Sequence, residues 1–156
     1  MNAAEEIVKY WLQSKGYFIQ SSISLPKRKE IDILAIHKNG AAMHVEVSVS
    51  IRSVNSKNAK LLAKEECNKK FKSVTKEVEA RFGKKFKRVY IRGRIAQNGR
   101  DIRDDYAKEC KKIGVEVLKF ENVLKEAMSG LATPSQFNPI IKTLQLMNEF
   151  SRSRIK

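Results

Sequence analysis

The residues best suited to chemistry are Asp32, in Glu30-Ile31-Asp32-Ile33-Leu34-Ala35-Ile36, and Glu46, in His44-Val45-Glu46-Val47-Ser48. Each is a single carboxylate set among apolar residues that read as a β-strand. A charge buried in such a strand costs several kcal/mol, of order 2–7 for a polar group and more for an ion, unless it is paired or binds a cation. Two of them on adjacent strands suggest a shared divalent cation. Magnesium, or manganese in its place, suits one or two carboxylates completed by water and by the phosphate oxygens of a substrate. A salt-bridged surface hairpin is the plainer alternative.

Whether the two carboxylates meet depends on the turn between the strands, Lys38-Asn39-Gly40. Asn-Gly is a strong hairpin signal. A two-residue loop would set Asp32 against Val47 and Ile33 against Glu46, mixing charge with hydrocarbon on both faces. A three-residue loop ending in a left-handed Gly40 sets Asp32 against Glu46, Leu34 against His44 and Glu30 against Ser48. The opposite face then holds Ile31, Ile33 and Ala35 against Val47, Val45 and Met43. A one-residue slip exchanges the faces of a strand, so the register that separates polar from apolar is expected.

The flanking elements follow from periodicity. Residues Ala3 to Lys15 read as an amphipathic helix stopped by Gly16, with Ile7, Val8, Trp11 and Leu12 on one side. Tyr17 to Ile23 is a first strand, and the hairpin supplies the second and third. A long helix is expected from about Asn55 to Phe82, with the stripe Ala59, Ala63, Cys67, Phe71, Val74, Val78 and Phe82. Further strands at 86–92 and 115–120 alternate with helices at 100–113 and 122–128. A last amphipathic helix carries Ile140, Ile141, Leu144, Met147 and Phe150. The resulting class is α/β, a mixed central sheet flanked by helices.

At 156 residues this is one domain with room for a core, and 42% hydrophobic residues argue against disorder. The net charge of +15, from 32 basic and 17 acidic residues, favours a polyanionic partner. No apolar run approaches the roughly 18 residues that span a bilayer, so no membrane is expected. The N-terminus carries Glu5, Glu6 and Lys9 where a signal peptide needs an apolar stretch. Cys67 and Cys110, far apart and without metal-ligand spacing, read as reduced, partly buried thiols of a cytoplasmic protein.

The order α-β-β-β-α-β, with Asp32 on the second strand and Glu46 on the third, resembles the PD-(D/E)xK nuclease superfamily. Within it the chain looks most like archaeal Holliday-junction resolvases and Mrr-like restriction endonucleases. The likeness covers about the first 92 residues, and its motifs are short. It implies a restriction-endonuclease-like αβββαβ core over residues 1–132, with extra C-terminal helices and a basic tail over 133–156. It implies a Mg2+- or Mn2+-dependent endonuclease acting on DNA, with RNA a further possibility and branched DNA a candidate substrate. Asp32 and Glu46 would hold the metal, with the backbone carbonyl of Val47 completing the shell. Glu5, eleven residues before Gly16, would be the third acidic member. Ile31 stands where the family often has proline.

The departure is Ser48, where the family carries lysine. Serine donates a hydrogen bond but supplies no positive charge. Three readings stand: a lysine of the long helix (Lys57, Lys60 or Lys64) substitutes; the metal suffices alone; or the site is inactive and the protein only binds nucleic acid. His44 shares the face of Glu46 and reads more simply as a hydrogen-bonded, half-exposed residue than as a proton relay. Glu30 reads as a spare carboxylate or a surface partner of Lys27 or Arg28.

The basic residues cluster at Lys27-Arg28-Lys29, at Lys57, and at Lys69, Lys70, Lys72 and Lys76. They recur at Lys84 to Arg88 and at Arg92, Arg94, Arg100 and Arg103. Lys27, Arg28, Lys29, Lys57, Lys69, Lys70, Arg92 and Arg94 are the expected nucleic-acid contacts. Without a base-reading helix or an aromatic platform, recognition of backbone and shape is expected. The C-terminal helix reads either as packed on the sheet or as a homodimer contact, with a slight lean to the dimer.

Overall fold

Gly16 and Gly40, both at positive φ (86° and 91°), end the first helix and the hairpin loop as their positions require. The computed structural model describes residues 2–54, 57–130 and 139–153, with side chains through residue 147. In chain order the elements are α1 (Ala3–Ser14), β1 (Tyr17–Leu25), β2 (Lys29–His37), β3 (Ala42–Ser48), β4 (Arg52–Ser53) and α2 (Ala59–Cys67). A π-helical turn (Asn68–Lys72) joins α2 to α3 (Ser73–Phe82). Then come β5 (Lys87–Arg92), β6 (Ile95–Gln97), β7 (Arg100–Asp101), α4 (Arg103–Lys112), β8 (Val115–Lys119), α5 (Phe120–Ser129) and α6 (Pro139–Ser153).

Five strands form one mixed sheet in the order β1-β2-β3-β5-β8. The first three are antiparallel, and β3, β5 and β8 run parallel. Helices cover both faces. On one, Val8 and Leu12 of α1 pack with Ile33, Val45, Val47 and Ile91, joined by Val123 of α5 and Ile141 of α6. On the other, Leu62, Cys67 and Phe71 meet Tyr90, Tyr106 and Cys110. The neighbouring cluster sets Val74 and Val78 against Ile23, Ile31 and Leu34. This is the expected α/β architecture, compatible with a restriction-endonuclease-like fold, with C-terminal helices added to it.

The hairpin closes through the three-residue loop. His37 N–H donates to the carbonyl of Ala41 and Gly40 N–H to that of His37, both at 2.8 Å. The ladder pairs Leu34 with His44 and Ala35 with Met43, the register chosen for its clean separation of faces. One residue departs: Ile31 packs with Leu34 beneath α3 instead of with Ile33. The alternation therefore breaks at Asp32. Directly across β1 from it, Ser22 has a left-handed backbone (φ 52°).

The long helix starts at Ala59, capped by the Asn58 side chain on Leu61 N–H, and its predicted stripe faces the sheet. Residues 55 and 56, the expected start, lie outside the described residues. A small second sheet, β4-β6-β7, was not expected, because strands of two or three residues carry no readable period. It also delays α4 to Arg103. The turn around residues 131–134 likewise lies outside the described residues.

Gly93 follows β5 with its N–H on the carbonyl of Ser48 at 2.8 Å, and a Cβ there would lie 2.3 Å from the carbonyl oxygen of Val49. No side chain fits without moving β3 from β5. Gly93→Ala is expected to destabilise the protein by about 1–3 kcal/mol in urea unfolding. An unchanged midpoint would contradict this packing.

Candidate active site

The β2–β3 ladder stops at Ile33–Val45. The next pair in register is Asp32 and Glu46, and there side chains replace the backbone bonds. Val47 N–H donates to Asp32 Oδ2 at 2.8 Å, and Asp32 N–H lies 3.4 Å from Glu46 Oε1. Beyond that point β2 is held by β1 alone, through Ile31–Ile23 and Glu30–Ser24. β3 is held by β5, through Glu46–Tyr90, Val47–Ile91 and Ser48–Arg92. The strands part at the two carboxylates, which is what like charges in directly opposed positions favour.

Glu46 is 0% exposed. Its Oε1 accepts from His44 Nε2 at 2.8 Å, and Lys70 Nζ stands 2.9 Å from Oε2. The Lys70 contact is an ion pair whose geometry falls short of a hydrogen bond, leaving Oε2 buried without a hydrogen-bond donor. His44, 2% exposed and 4.8 Å from the ring of Phe71, is buried rather than half-exposed. Its partner is the carboxylate two residues along the same strand face.

Asp32 is only partly buried. Burial first, and the Glu46 charge second, push its carboxyl from 3.8 to about 6, against the Val47 hydrogen bond and Lys70. Glu5 adds a smaller push in the same direction. The Glu5 carboxylate itself closes the N-terminal capping box of α1, accepting from Asn2 Nδ2 at 2.7 Å. Its charge reaches the site although its hydrogen bonds belong to the helix end. Among the described residues, no three His, Cys, Asp or Glu side chains converge into a metal-holding cluster.

Lys70 resolves part of the question posed by Ser48. It comes from the π-helical turn, whose extra residue per turn lets both Lys70 and the buried Phe71 approach the sheet. Burial disfavours its charge, but Glu46 and Asp32 outweigh that and hold its pKa above the ordinary lysine value. Lys60 and Lys64, proposed from sequence for this place, are exposed on α2. Lys57 pairs with Glu65 at 2.5 Å. The helical phase that favoured them assumed an uninterrupted α-helix.

Ser48 meets a second cation. Arg92, its register partner on β5, donates from Nη1 to Ser48 Oγ at 2.7 Å. Arg92 is 2% exposed, lies over the rings of Tyr90 and Tyr106, and approaches Glu66 Oε1 at 3.4 Å. Its expected role as a surface phosphate contact is therefore corrected: it is an internal charge. Tyr106 donates to the other Glu66 oxygen at 2.5 Å. Arg103 is also withdrawn from the basic surface, clamped by Asp101 and Glu121. Sequence reasoning missed this network because its members come from β3, α2, β5 and α4.

Of the remaining basic residues, Lys27 and Arg28 are exposed on consecutive left-handed positions (φ 62° and 56°) just before β2. Lys29 Nζ bonds the carbonyl of Ser73 at 2.6 Å. Lys69 and Arg94 are exposed, as is Glu30 on β2.

No family model and no curated protein matches this sequence. Among solved structures it is similar to a repair endonuclease from Pyrococcus abyssi at 13% identity and TM-score 0.42, over 69% of this chain and 40% of that one. It is similar to AF1548, a protein of unknown function, at 12% identity and TM-score 0.46, over 82% and 67% of the two chains. A third likeness is Pyrococcus furiosus SfsA in complex with Ca2+, at 18% identity and TM-score 0.35, over 74% and 53%. The chain thus spans 40% of the endonuclease and 53% of SfsA. None of these likenesses bears on the site residues.

The raised carboxyl has a checkable sign. Because folding favours neutral Asp32, its stabilising share is complete below the unfolded value of 3.8 and is lost as pH rises through about 6. Asp32→Asn mimics the neutral acid. In EDTA at pH 7.5 it is expected to raise Tm by about 2–4 °C, the gain vanishing below pH 4. A lower Tm at pH 7.5 would contradict the electrostatic picture.

Proposed function

We propose that the protein is a metal-dependent nuclease that hydrolyses phosphodiester bonds of DNA, branched DNA included, reading backbone and shape rather than base sequence. The observation that carries this is the pair Asp32 and Glu46 at the parting of β2 and β3, with buried Glu46 Oε2 lacking a hydrogen-bond donor. That unfilled acceptor, beside a second carboxyl held at about 6, fits a divalent cation. Asp32, Glu46 and the carbonyl of Val47 would hold Mg2+ or Mn2+, and Glu5 would add negative potential. When bound, such an ion supplies charge neutralisation at the phosphate and a nucleophilic water at neutral pH.

Lys70 stays protonated at neutral pH, so it cannot serve as a general base. As a cation 2.9 Å from Glu46, half-buried at 36% exposure, it orients water and offsets charge on a phosphoryl group. Arg92 steadies Ser48 from below, supplying charge to the position where the resembled family has lysine. Exposed Lys27, Arg28, Lys69 and Arg94, within a net charge of +15, would engage the backbone. A homodimer is part of the proposal, with Leu146 exposed on α6.

One observation favours a second reading, a binding protein without hydrolysis: Glu46 is fully enclosed and already paired with Lys70 and His44. Incubation with linear and four-way-junction DNA in Mg2+ or Mn2+, beside Asp32→Ala and Lys70→Met, separates the two. The nuclease reading expects cleavage that Asp32→Ala abolishes and Lys70→Met slows by about 10²–10³-fold. Equal, negligible cleavage by all three, with tight binding retained, selects the second reading. Metal binding has its own measurement: Mg2+ at about 100 times Kd should add about 2.7 kcal/mol of stability, lost in Asp32→Asn.

Affinity for DNA should also fall steeply with salt, with a log–log slope of about −0.9 per phosphate engaged. A flat response would contradict backbone recognition.

A further inference from the structure

The chain has two cysteines, 43 residues apart, and the fold brings them together. Cys67 closes α2 and Cys110 lies in the last turn of α4. Both are buried free thiols, and Cys67 Sγ–H donates to Cys110 Sγ at 3.3 Å. The sequence reading of two isolated, partly buried thiols is corrected on both counts. We propose that Cys67 and Cys110 form a reversible intramolecular disulfide that clamps α2 to α4.

The geometry favours this pairing over other fates. A disulfide needs sulfurs at about 2.05 Å, so roughly 1.2 Å of closure suffices, spread over two helices already in contact. Burial in the cluster of Leu62, Ala63, Phe71 and Tyr106 keeps each sulfur from thiols of other molecules. The Cys67 hydrogen bond lowers the pKa of Cys110, which therefore is the thiol that ionises. With hydrogen peroxide as oxidant, the Cys110 thiolate attacks one peroxide oxygen and breaks the O–O bond. Sulfenic acid forms, and the other oxygen leaves as hydroxide and takes up a proton to become water. The Cys67 sulfur then attacks the Cys110 sulfur, its proton leaving with the displaced hydroxyl as a second water. Two thiols lose two electrons in total, and the peroxide is reduced. Local opening of α2 against α4 admits the oxidant.

The cross-link would sit one residue from Glu66 and four from Tyr106, whose side chains hold each other and border Arg92. Its existence is independent of the nuclease reading.

The test uses the full chain. Protein treated with hydrogen peroxide is denatured, alkylated with N-ethylmaleimide and weighed intact, beside a sample reduced with dithiothreitol. The proposal expects two adducts on the reduced protein. On the oxidised protein it expects none, a mass lower by two hydrogens and a monomeric band without reductant. Closing a loop of this length should raise Tm by about 10 °C on oxidation. Cys67→Ala and Cys110→Ala should each lose the rise. Two adducts after peroxide, oxygen added at the sulfurs, or disulfide-linked dimers would each overturn the proposal. An unchanged Tm in a protein shown to be cross-linked would overturn the clamp.

Discussion

The hydrogen bond from Val47 N–H to Asp32 Oδ2 is the interaction on which the rest of the site depends. A backbone ladder continued by one more pair would set Asp32 and Glu46 side by side with their charges opposed. The carboxylate instead takes the place of a carbonyl acceptor, and the strands separate without leaving that donor orphaned. Everything functional lies beyond this exchange. Ser48 turns toward β5, Ile31 swings under α3, and β2 runs on into the basic turn at Lys27 and Arg28.

Cations are graded around the carboxylates. His44 and Lys70 touch Glu46 directly, Arg92 stands behind Ser48, and exposed lysines and arginines lie outside. The inner members neutralise buried charge at short range in a low dielectric. The outer ones act through water and salt, so they influence encounter more than chemistry. That Lys70 comes from a helix and Arg92 from a parallel strand means that no linear motif describes the set.

The strands, their register and the paired carboxylates were legible because period-2 patterning and an Asn-Gly turn are local signals. The choice of the three-residue loop followed from facial segregation alone, and the hairpin obeys it. What was not legible has one cause, dependence on contacts distant in sequence. The exposed-looking Arg92 is buried because Tyr90, Tyr106 and Glu66 enclose it. The two cysteines looked solitary because their meeting requires α2 and α4 to cross. Lys60 and Lys64 seemed correctly phased because a π-helical turn leaves no mark in residue composition. The strands β4, β6 and β7 are shorter than any period that could reveal them.

That turn also makes helix length a constraint in its own right. Asn68–Lys72 holds one residue more than an α-helical turn would, so the phases of α2 and α3 are set separately. Removing a residue here would restore regular winding and rotate everything after it by about 100°. Phe71 and Val74 would leave the sheet together with Lys70. Elsewhere on a helix surface a deletion is absorbed at a loop. Here the chain tolerates substitution far better than any change in count, and related sequences should conserve the spacing from Cys67 to Val74 more strictly than the residues within it.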